Sequence, residues 1–148
     1  MAIKQITPQQ AHDLLRQDSQ IMYLDVRTEA EFSAGHPQSS VNIPVFFFQA
    51  QGTPSPNPDF LKVVEANIPK ETTIIVGCQA GRRSQHGAEI LEQAGYTNLA
   101  NMMGGFGGGP DQSGAPLPGW RDAGLPVNTE NGEGVSYASL AAKAGVKA

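Results

Sequence analysis

Short apolar runs alternate with amphipathic segments between residues 7 and 103 of the chain. In the amphipathic segments apolar residues recur at helical spacing, as in FLKVVEANI, where Leu61, Val64 and Ile68 share one face. Four runs have the length and the content of β-forming residues that are typical of strands: IMYLDV, SVNIPV, TTIIVG and YTNLANM. This alternation predicts an α/β fold with a parallel sheet and helices on both faces.

Helix start and stop signals delimit these segments. Thr7 and Thr28 each stand three residues before a glutamine or a glutamate, which is the pattern of a capping box. Pro58 suits the first turn of the third helix. The helix SQHGAEILEQAG is predicted to be capped by Ser84 and closed by Gly95.

Two stretches do not fit this repeat. Residues 104–119, GGFGGGPDQSGAPLPG, are dominated by glycine and proline and predict a mobile surface loop without regular structure. The tail, residues 128–148, begins polar, is predicted to be partly flexible, and offers a short helix starting near Ser136. The predicted domain therefore spans residues 1–127 and contains a Gly/Pro-rich insertion at 106–119.

Composition and charge narrow the functional classes. The 148 residues carry a formal net charge of −4 and a single cysteine. The negative charge argues against a general nucleic-acid binder, because phosphate neutralisation needs a basic surface. No apolar run approaches the roughly 20 residues that cross a bilayer, and no signal peptide is apparent. We therefore expect a soluble intracellular protein without membrane or nucleic-acid partners, located in the cytoplasm or, in a eukaryote, as the mature form in a plastid or mitochondrion.

Cys78 ends the most clearly marked strand and begins the turn CQAGRR, which leads directly into a helix. Ligands of parallel α/β sheets bind beyond the carboxyl ends of the strands, where this residue falls. The turn's N–H groups, the helix N-terminus and the charges of Arg82 and Arg83 favour the nucleophilic thiolate. Gly81 suits an unusual backbone conformation. An inert core residue is the alternative, and the coincidence of strand, turn and helix favours a reactive thiol.

Four separated segments of the chain resemble the single-domain rhodanese family. LDVRTEAEFSAGH and the following SVNIP resemble its D-V-R-x-x-x-E-[FY]-x-x-G-H segment and its A-x-N-I-P strand. CQAGRRS resembles its C-x-x-G-x-R-S active-site loop, and the GG pair at 104–105, Trp120 and AGLPV resemble its C-terminal signature. The resemblance spans residues 3–127 and implies a five-stranded parallel sheet flanked by helices.

The resemblance also implies a sulfurtransferase mechanism with Cys78 as the catalytic nucleophile. Its thiolate attacks the sulfane sulfur of a small anionic donor such as thiosulfate, and the resulting persulfide passes its outer sulfur to cyanide or a thiol. A protein acceptor stays open, and no metal or organic cofactor is implied. Arg83 is expected to point into the loop and Arg82 to meet the donor at the rim. Substrate binding is implied for the whole loop: Gln79, Ala80, Gly81, Arg82, Arg83 and Ser84.

Two other functions use this fold or this cysteine. Dual-specificity phosphatases and arsenate reductases of the same fold need a C-x5-R loop that wraps a tetrahedral oxyanion. Here four residues separate Cys78 from Arg83, and the shorter loop favours sulfur over phosphate. A persulfide carrier or redox-sensing binding module, with little turnover of free thiosulfate, is the main alternative.

Polar residues near the loop allow a structural and a functional interpretation. Arg27 is assigned to a structural network with Asp25 and Glu31, and a position at the active-site mouth is the alternative. His36 is assigned to the same structural motif. His86, near the start of the active-site helix, is interpreted as an exposed or core-edge histidine rather than one that tunes the thiol.

The chain departs from the family pattern most clearly between Gly105 and Trp120, where residues 106–119 replace only a few residues. A lid over the active site, or a docking loop for an acceptor protein, is one interpretation of this insertion. A tolerated surface insertion is the favoured one, because lengthening a loop costs little closure entropy. The run Phe46–Phe48 is expected either to plug the core or to form an apolar wall near the site.

Overall fold

The computed structural model describes residues 3–48 and 52–147. In chain order its elements are β1 (Ile3–Ile6), α1 (Pro8–Gln17), β2 (Met22–Asp25), α2 (Glu29–Ala34), β3 (His36–Pro37), β4 (Ser40–Asn42), β5 (Phe46–Phe48), β6 (Pro54–Pro56), α3 (Phe60–Asn67), β7 (Ile74–Gly77), α4 (Arg82–Gln93), β8 (Leu99–Met102), β9 (Gly109–Pro110), β10 (Pro116–Leu117), β11 (Val127–Asn128) and α5 (Tyr137–Lys143). No helix in these two ranges is both long and apolar enough to span a membrane.

Five of the strands form one parallel sheet in the order β1-β8-β7-β2-β4. The predicted α/β fold with a five-stranded parallel sheet is confirmed. β7 occupies the centre of the sheet, and all four of its residues are buried because β2 and β8 flank it and the sheet is covered on both faces. The carboxyl end of β7 therefore lies at the middle of the edge where the parallel strands end.

Separate apolar clusters cover the two faces of the sheet. The larger cluster contains residues of α3, α4 and α5, including Val64, Leu91 and Leu140. The smaller cluster packs α1 through Ala11 against the sheet and includes the buried Trp120. This arrangement fixes the carboxyl ends of the central strands at one rim of the molecule.

The first strand and the start of α4 differ from the pattern-based expectations. β1 was not recognised as an apolar run because IKQI is a short edge strand with two polar residues. α4 begins at Arg82 with Gly81 as its N-cap, so the prediction that Ser84 caps the helix is wrong. The Ser84 side chain instead hydrogen-bonds to Asn101, across the contact between α4 and β8.

The Gly/Pro-rich stretch is ordered by its own hydrogen bonds. β9 and β10 pair as an antiparallel hairpin, and Asp111 Oδ1 accepts hydrogen bonds from the backbone N–H groups of Ser113 and Ala115. The expectation that residues 104–119 hold no regular structure is therefore wrong. The side chain of Asp111 stabilises the turn by accepting backbone hydrogen bonds, which the glycine and proline content alone does not predict.

The tail contributes to the core through α5. Ser136 caps this helix by accepting a hydrogen bond from the Ser139 N–H, which agrees with the helix start expected near Ser136. Tyr137 and Leu140 are buried, and α5 packs against α3. Asn57 Nδ2 donates to the Tyr137 hydroxyl at 3.1 Å and ties the helix to the chain before α3.

Candidate active site

Cys78 directly follows the central strand β7, and only 2% of its surface is exposed. The turn after it curls back, so the Gly81 N–H donates to Cys78 Sγ at 3.1 Å. Gly81 has φ of 110°, a conformation that glycine adopts at little cost, and it is also the N-cap of α4. The sulfur therefore lies in a turn that directs an amide N–H at it, beside a helix N-terminus.

Ser84 and Asn101 extend this site beneath the turn. Ser84 Oγ lies 3.3 Å from Cys78 Sγ and 3.2 Å from the Gly81 carbonyl oxygen. It also makes a short hydrogen bond to the Asn101 side chain on β8. Asn101 is not among the predicted site residues, although a polar residue inside the buried strand LANM is a usable signal of a polar contact.

Arg83 lies against α2 rather than free in the loop. Its guanidinium forms a bidentate ion pair with Glu31, with Nη1–Oε1 at 2.7 Å and Nη2–Oε2 at 3.0 Å. The ring of Phe48 stacks on the same guanidinium, with its centroid 5.1 Å from Cζ. The charge of Arg83 is thus paired with Glu31, and this ion pair holds α2 to the start of α4.

Glu31 serves two partners at once. It accepts the Thr28 N–H in the capping box of α2 as well as the Arg83 guanidinium. Burial disfavours its charged form, but the hydrogen bonds from Arg83 and from the Thr28 backbone outweigh burial and lower the pKa of Glu31 to about 2. The carboxylate consequently stays ionised far into acid.

Replacing Glu31 with glutamine should weaken the protein at neutral pH and matter less in acid. The folded-state pKa of Glu31 lies below its ordinary 4.5, so its contribution is present above that value and fades as the pH falls towards about 2. We expect a loss of about 1–2 kcal/mol at neutral pH, discounted for partial exposure. Urea unfolding of the wild type and of Glu31→Gln, from neutral pH down to about pH 2, measures this difference in the free energy of unfolding. Glu65→Gln, which breaks the exposed pair with Lys70, is the control, and an equal loss there would contradict the assignment.

Arg82 is the exposed cation of the loop. It borders a cleft of about 500 Å³ whose other lining residues include Gln5, Gln85 and Asp111. Ala80 and Gly81 form part of the same wall. Of the two adjacent arginines, Arg82 is therefore the one that can meet a ligand from solvent.

Arg27 is buried beside the loop on the other side. It pairs with Asp25 at 2.9 Å, donates to the Gly35 carbonyl oxygen, and reaches Gln79 Oε1 at 3.3 Å. Glu31 does not join this pair, so the network expected of Asp25, Arg27 and Glu31 is two separate ion pairs. Arg27 combines a structural role with a direct contact to the turn that follows Cys78.

The glycine-rich stretch lies directly on the backbone of the cysteine loop. The Phe106 N–H donates to the Cys78 carbonyl oxygen at 2.7 Å, and the Gly107 N–H donates to the Gln79 carbonyl oxygen at 2.9 Å. A Cβ on Gly109 would lie 2.4 Å from the Ala80 carbonyl oxygen. The first half of the insertion therefore supports the loop, and Pro110 to Gln112 line the cleft beside Arg82.

The remaining sequence candidates are placed around this centre. His36 is buried, stacks on Phe32 with centroids 3.7 Å apart, and bonds through Nε2 to the Glu130 carbonyl oxygen at 2.6 Å, as a structural residue does. His86 is exposed and stacks on Phe46. Phe46 and Phe48 thus contact side chains of α4, whereas Phe46 and Phe47 also pack against the larger apolar cluster, as a core-plugging role requires.

Within 3–48 and 52–147 no group of three or more His, Cys, Asp or Glu side chains is placed to hold an ion. The chemistry available at the site is that of one sulfur atom, backbone N–H groups and nearby arginines.

Comparison with known proteins identifies the fold. The sequence matches the rhodanese-like domain family over residues 7–108. The chain belongs to the rhodanese family. Its structure resembles the crystal structure of Rv0390 from M. tuberculosis with a TM-score of 0.71 and 31% identity, covering 88% of this chain and all of that one (100%).

Plant members of the rhodanese family are among its relatives. "Thiosulfate sulfurtransferase 16, chloroplastic" of Arabidopsis thaliana is 44% identical over 96 residues, which cover 65% of this chain and 78% of that protein. "Protein HIGH ARSENIC CONTENT 1, mitochondrial" of the same plant is 42% identical over 84 residues, covering 57% and 49% respectively. Other plant relatives are longer, and the chain spans 45% and 46% of two of them.

Proposed function

We propose that this rhodanese is a sulfurtransferase in which Cys78 carries sulfur as a persulfide. The observation that carries the proposal is the position of its sulfur: at the end of the central strand, beside a helix N-terminus, with the Gly81 N–H directed at Sγ. Such a site stabilises negative charge on sulfur without a metal. Relatives named thiosulfate sulfurtransferase support the same chemistry.

Loading of the enzyme is a displacement at sulfur. The Cys78 thiolate attacks the sulfane sulfur of thiosulfate, an S–S bond forms to Sγ, and the S–S bond of thiosulfate breaks with its electron pair leaving on sulfite. The negative charge moves from Sγ to the outer sulfur. The turn from Gln79 to Ser84 supplies the backbone N–H groups that would face this charge.

Discharge is a second displacement. A cyanide ion or a thiolate attacks the outer sulfur, the bond between the two sulfurs breaks, and Sγ leaves as a thiolate. With cyanide the product is thiocyanate, and with a thiolate it is a new persulfide. Each turn of the cycle returns Cys78 to its starting state, so no external oxidant or reductant is consumed.

Arg82 should anchor the anionic donor. Arg27 and Arg83 are engaged by Asp25 and Glu31, so Arg82 is the exposed charge of the loop. We expect Arg82→Ala to raise the KM for thiosulfate about five- to tenfold, the effect of one partly screened charge pair, with a smaller change in kcat. Steady-state kinetics over a range of donor concentrations measure this change.

The matched control for Arg82→Ala is Arg16→Ala. Arg16 lies in the last turn of α1, which runs away from the carboxyl end of β1 and thus ends at the opposite rim of the sheet. Both variants lose one positive charge. An equal rise in KM in the two variants, or none in Arg82→Ala, would refute the anchor.

The test of the proposed function is the rate of thiocyanate formation from thiosulfate and cyanide by the purified protein. Parallel assays with 4-nitrophenyl phosphate and with arsenate examine the phosphatase and arsenate reductase alternatives, the latter because one relative is named for arsenic content. Thiocyanate production with no phosphate release or arsenate reduction supports the proposal. The reverse pattern would replace it.

A persulfide carrier is the second candidate. Pairing of Arg27 and Arg83 with carboxylates leaves Arg82 to attract a dianion such as thiosulfate at the cysteine loop. A carrier would hold a stable persulfide, turn over thiosulfate slowly, and pass its sulfur to a protein acceptor. Slow thiocyanate formation together with full persulfide occupancy would favour this candidate.

A further inference from the structure

A chain of hydrogen bonds runs from the Cys78 sulfur to the surface. It passes through side chains of α4, β8 and β1 in this order: Ser84, Asn101, Gln5, Gln85 and Glu89. Ser84 and Asn101 are buried, with 0% and 4% of their surface exposed. Glu89 is exposed. Cys78 and Ser84 belong to the cysteine-loop motif. The other hydrogen-bonded residues, Asn101, Gln5, Gln85 and Glu89, have no role in the sulfur-transfer steps described above.

The geometry of this chain follows from the fold. The sheet register sets Gln5 directly beside Asn101, and Asn101 Nδ2 donates to Gln5 Oε1 at 2.9 Å. Gln5 Nε2 donates to Gln85 Oε1 at 2.6 Å. Gln85 Nε2 donates in turn to Glu89 Oε2 at 3.0 Å, one helical turn further along α4.

Glu89 fixes the direction of every bond in the chain. A carboxylate accepts but does not donate, whereas a side-chain amide presents an acceptor oxygen on one side and a donor NH₂ on the other. Gln85 must turn its NH₂ to Glu89, so its oxygen faces Gln5. The same condition repeats at Gln5 and Asn101, and the Asn101 oxygen therefore faces the hydroxyl of Ser84, which has to donate to it.

This direction decides what Ser84 offers to the sulfur. A hydroxyl has one proton, and the short bond from Ser84 Oγ to Asn101 Oδ1 takes it in preference to the Gly81 carbonyl oxygen, which lies farther away at 3.2 Å. Ser84 Oγ consequently presents a lone pair to Cys78 Sγ at 3.3 Å. Gly81 N–H remains as the donor to the sulfur in the described structure.

We propose that Asn101, oriented by Gln5 and Gln85, is a positioning residue that withholds the Ser84 proton from the Cys78 sulfur. Its catalytic meaning rests on the proposed function. When the persulfide forms, charge leaves Sγ, so a hydroxyl that donated to Sγ would stabilise the thiolate more than the transition state and slow the attack. Withholding the proton keeps the thiolate reactive and biases the cycle towards the persulfide.

Asn101→Leu tests this role because leucine cannot accept the Ser84 proton, which is then shared between Cys78 Sγ and the Gly81 carbonyl oxygen, both within 3.3 Å of Ser84 Oγ. Alkylation of Cys78 by iodoacetamide is followed from neutral to alkaline pH, and the rate at the alkaline plateau, where the thiol is fully ionised, is compared. We expect the plateau rate of alkylation and the rate of loading by thiosulfate, both measured at the pH of the alkaline plateau, to fall about three- to tenfold. Discharge by cyanide should not fall, since Sγ is then the leaving group and gains a donor.

The ionisable groups around the sulfur are the same in the variant and the wild type. They lie on β2, on α2, in the segment after β2 and at the start of α4: Tyr23, Asp25, Arg27, Glu31, Arg82, Arg83 and His86. Burial, followed by the charge of Asp25, raises the pKa of Tyr23, so it stays neutral at the pH of the assay. A plateau difference therefore reports on the Ser84 proton rather than on a lost charge.

The control is the Asn101→Leu substitution in a protein that lacks the Ser84 hydroxyl. In a Ser84→Ala background, Asn101→Leu should cause no further change in the plateau rate, because no proton is left to redirect. Gln5→Met, at a half-buried position on the edge strand, removes the acceptor that orients Asn101 and should lower the plateau rate in the same direction. This variant serves if the buried substitution does not fold.

The outcomes separate this inference from the function it rests on. A fall in the plateau rate that disappears in the Ser84→Ala background supports the role of Asn101. An equal fall in loading and discharge, or a fall that persists without the hydroxyl, overturns it. Failure of the wild-type protein to take up sulfur from thiosulfate would instead count against the proposed function, because alkylation requires no sulfur donor.

Discussion

Cys78→Ser is expected to abolish thiocyanate formation while leaving the protein folded. A serine hydroxyl cannot form a persulfide, so the loss should reach at least about a thousandfold in kcat/KM, limited by the background reaction. The fold should tolerate the change because a serine oxygen can accept the Gly81 N–H that the sulfur accepts now. Thiocyanate assays and thermal unfolding of the two proteins measure both halves of this expectation.

An independent probe of folding guards this result. Trp120 is 1% exposed in the smaller apolar cluster, so its emission spectrum reports on the core. A Trp120 emission spectrum and an unfolding transition equal to those of the wild type would show that the variant retains this core. Activity in a folded Cys78→Ser protein above that of buffer would contradict the mechanism. Such activity would move the reaction to another group.

Gly105→Ala should be strongly damaging although Gly105 lies outside the cysteine loop. Gly105 has φ of 56°, and a Cβ there would lie 2.4 Å from the Cys78 carbonyl oxygen and 2.6 Å from the Gln79 carbonyl group. Neither contact can be relieved by rotating a side chain, so the active-site backbone has to move. We expect a destabilisation of about 2–4 kcal/mol and a loss of at least tenfold in kcat/KM.

Gly132→Ala is the matched control for Gly105→Ala. No atom lies within 4 Å of a Cβ on Gly132, and its φ is outside the left-handed region. Urea unfolding and steady-state kinetics of the two variants are compared with those of the wild type. Gly132→Ala should change stability by less than about 0.5 kcal/mol and leave the rate unaffected. Wild-type behaviour of Gly105→Ala would show that the glycine stretch does not hold the loop.

The sheet and the position of Cys78 at the end of its central strand could be predicted because they depend on local signals. TTIIVG has the apolar content of a buried central strand, and the turn after it contains the glycine that its backbone conformation requires. Capping boxes at Thr7 and Thr28 were equally local, and both are present in the structure. Each of these features is decided within a few residues of sequence.

The partners of the loop could not be predicted because they depend on contacts distant in sequence. Arg83 meets Glu31 across 52 positions, and the polar chain from the sulfur joins residues 80 and 96 positions apart. The glycines of residues 104–109 predict flexibility by composition, yet in the structure they permit close backbone approach to the cysteine loop. A glycine-rich composition shows that these positions have no side chains, but it does not predict which backbone segment packs against them.

The central claim is that Cys78 carries sulfur, and the mass of the intact protein tests it most directly. The purified protein is weighed before thiosulfate, after thiosulfate and after cyanide, with Cys78→Ser alongside. Our account predicts a gain of one sulfur atom, about 32 Da, that cyanide removes and that the variant never shows. No gain in the wild-type protein, or an equal gain in the variant, would contradict it.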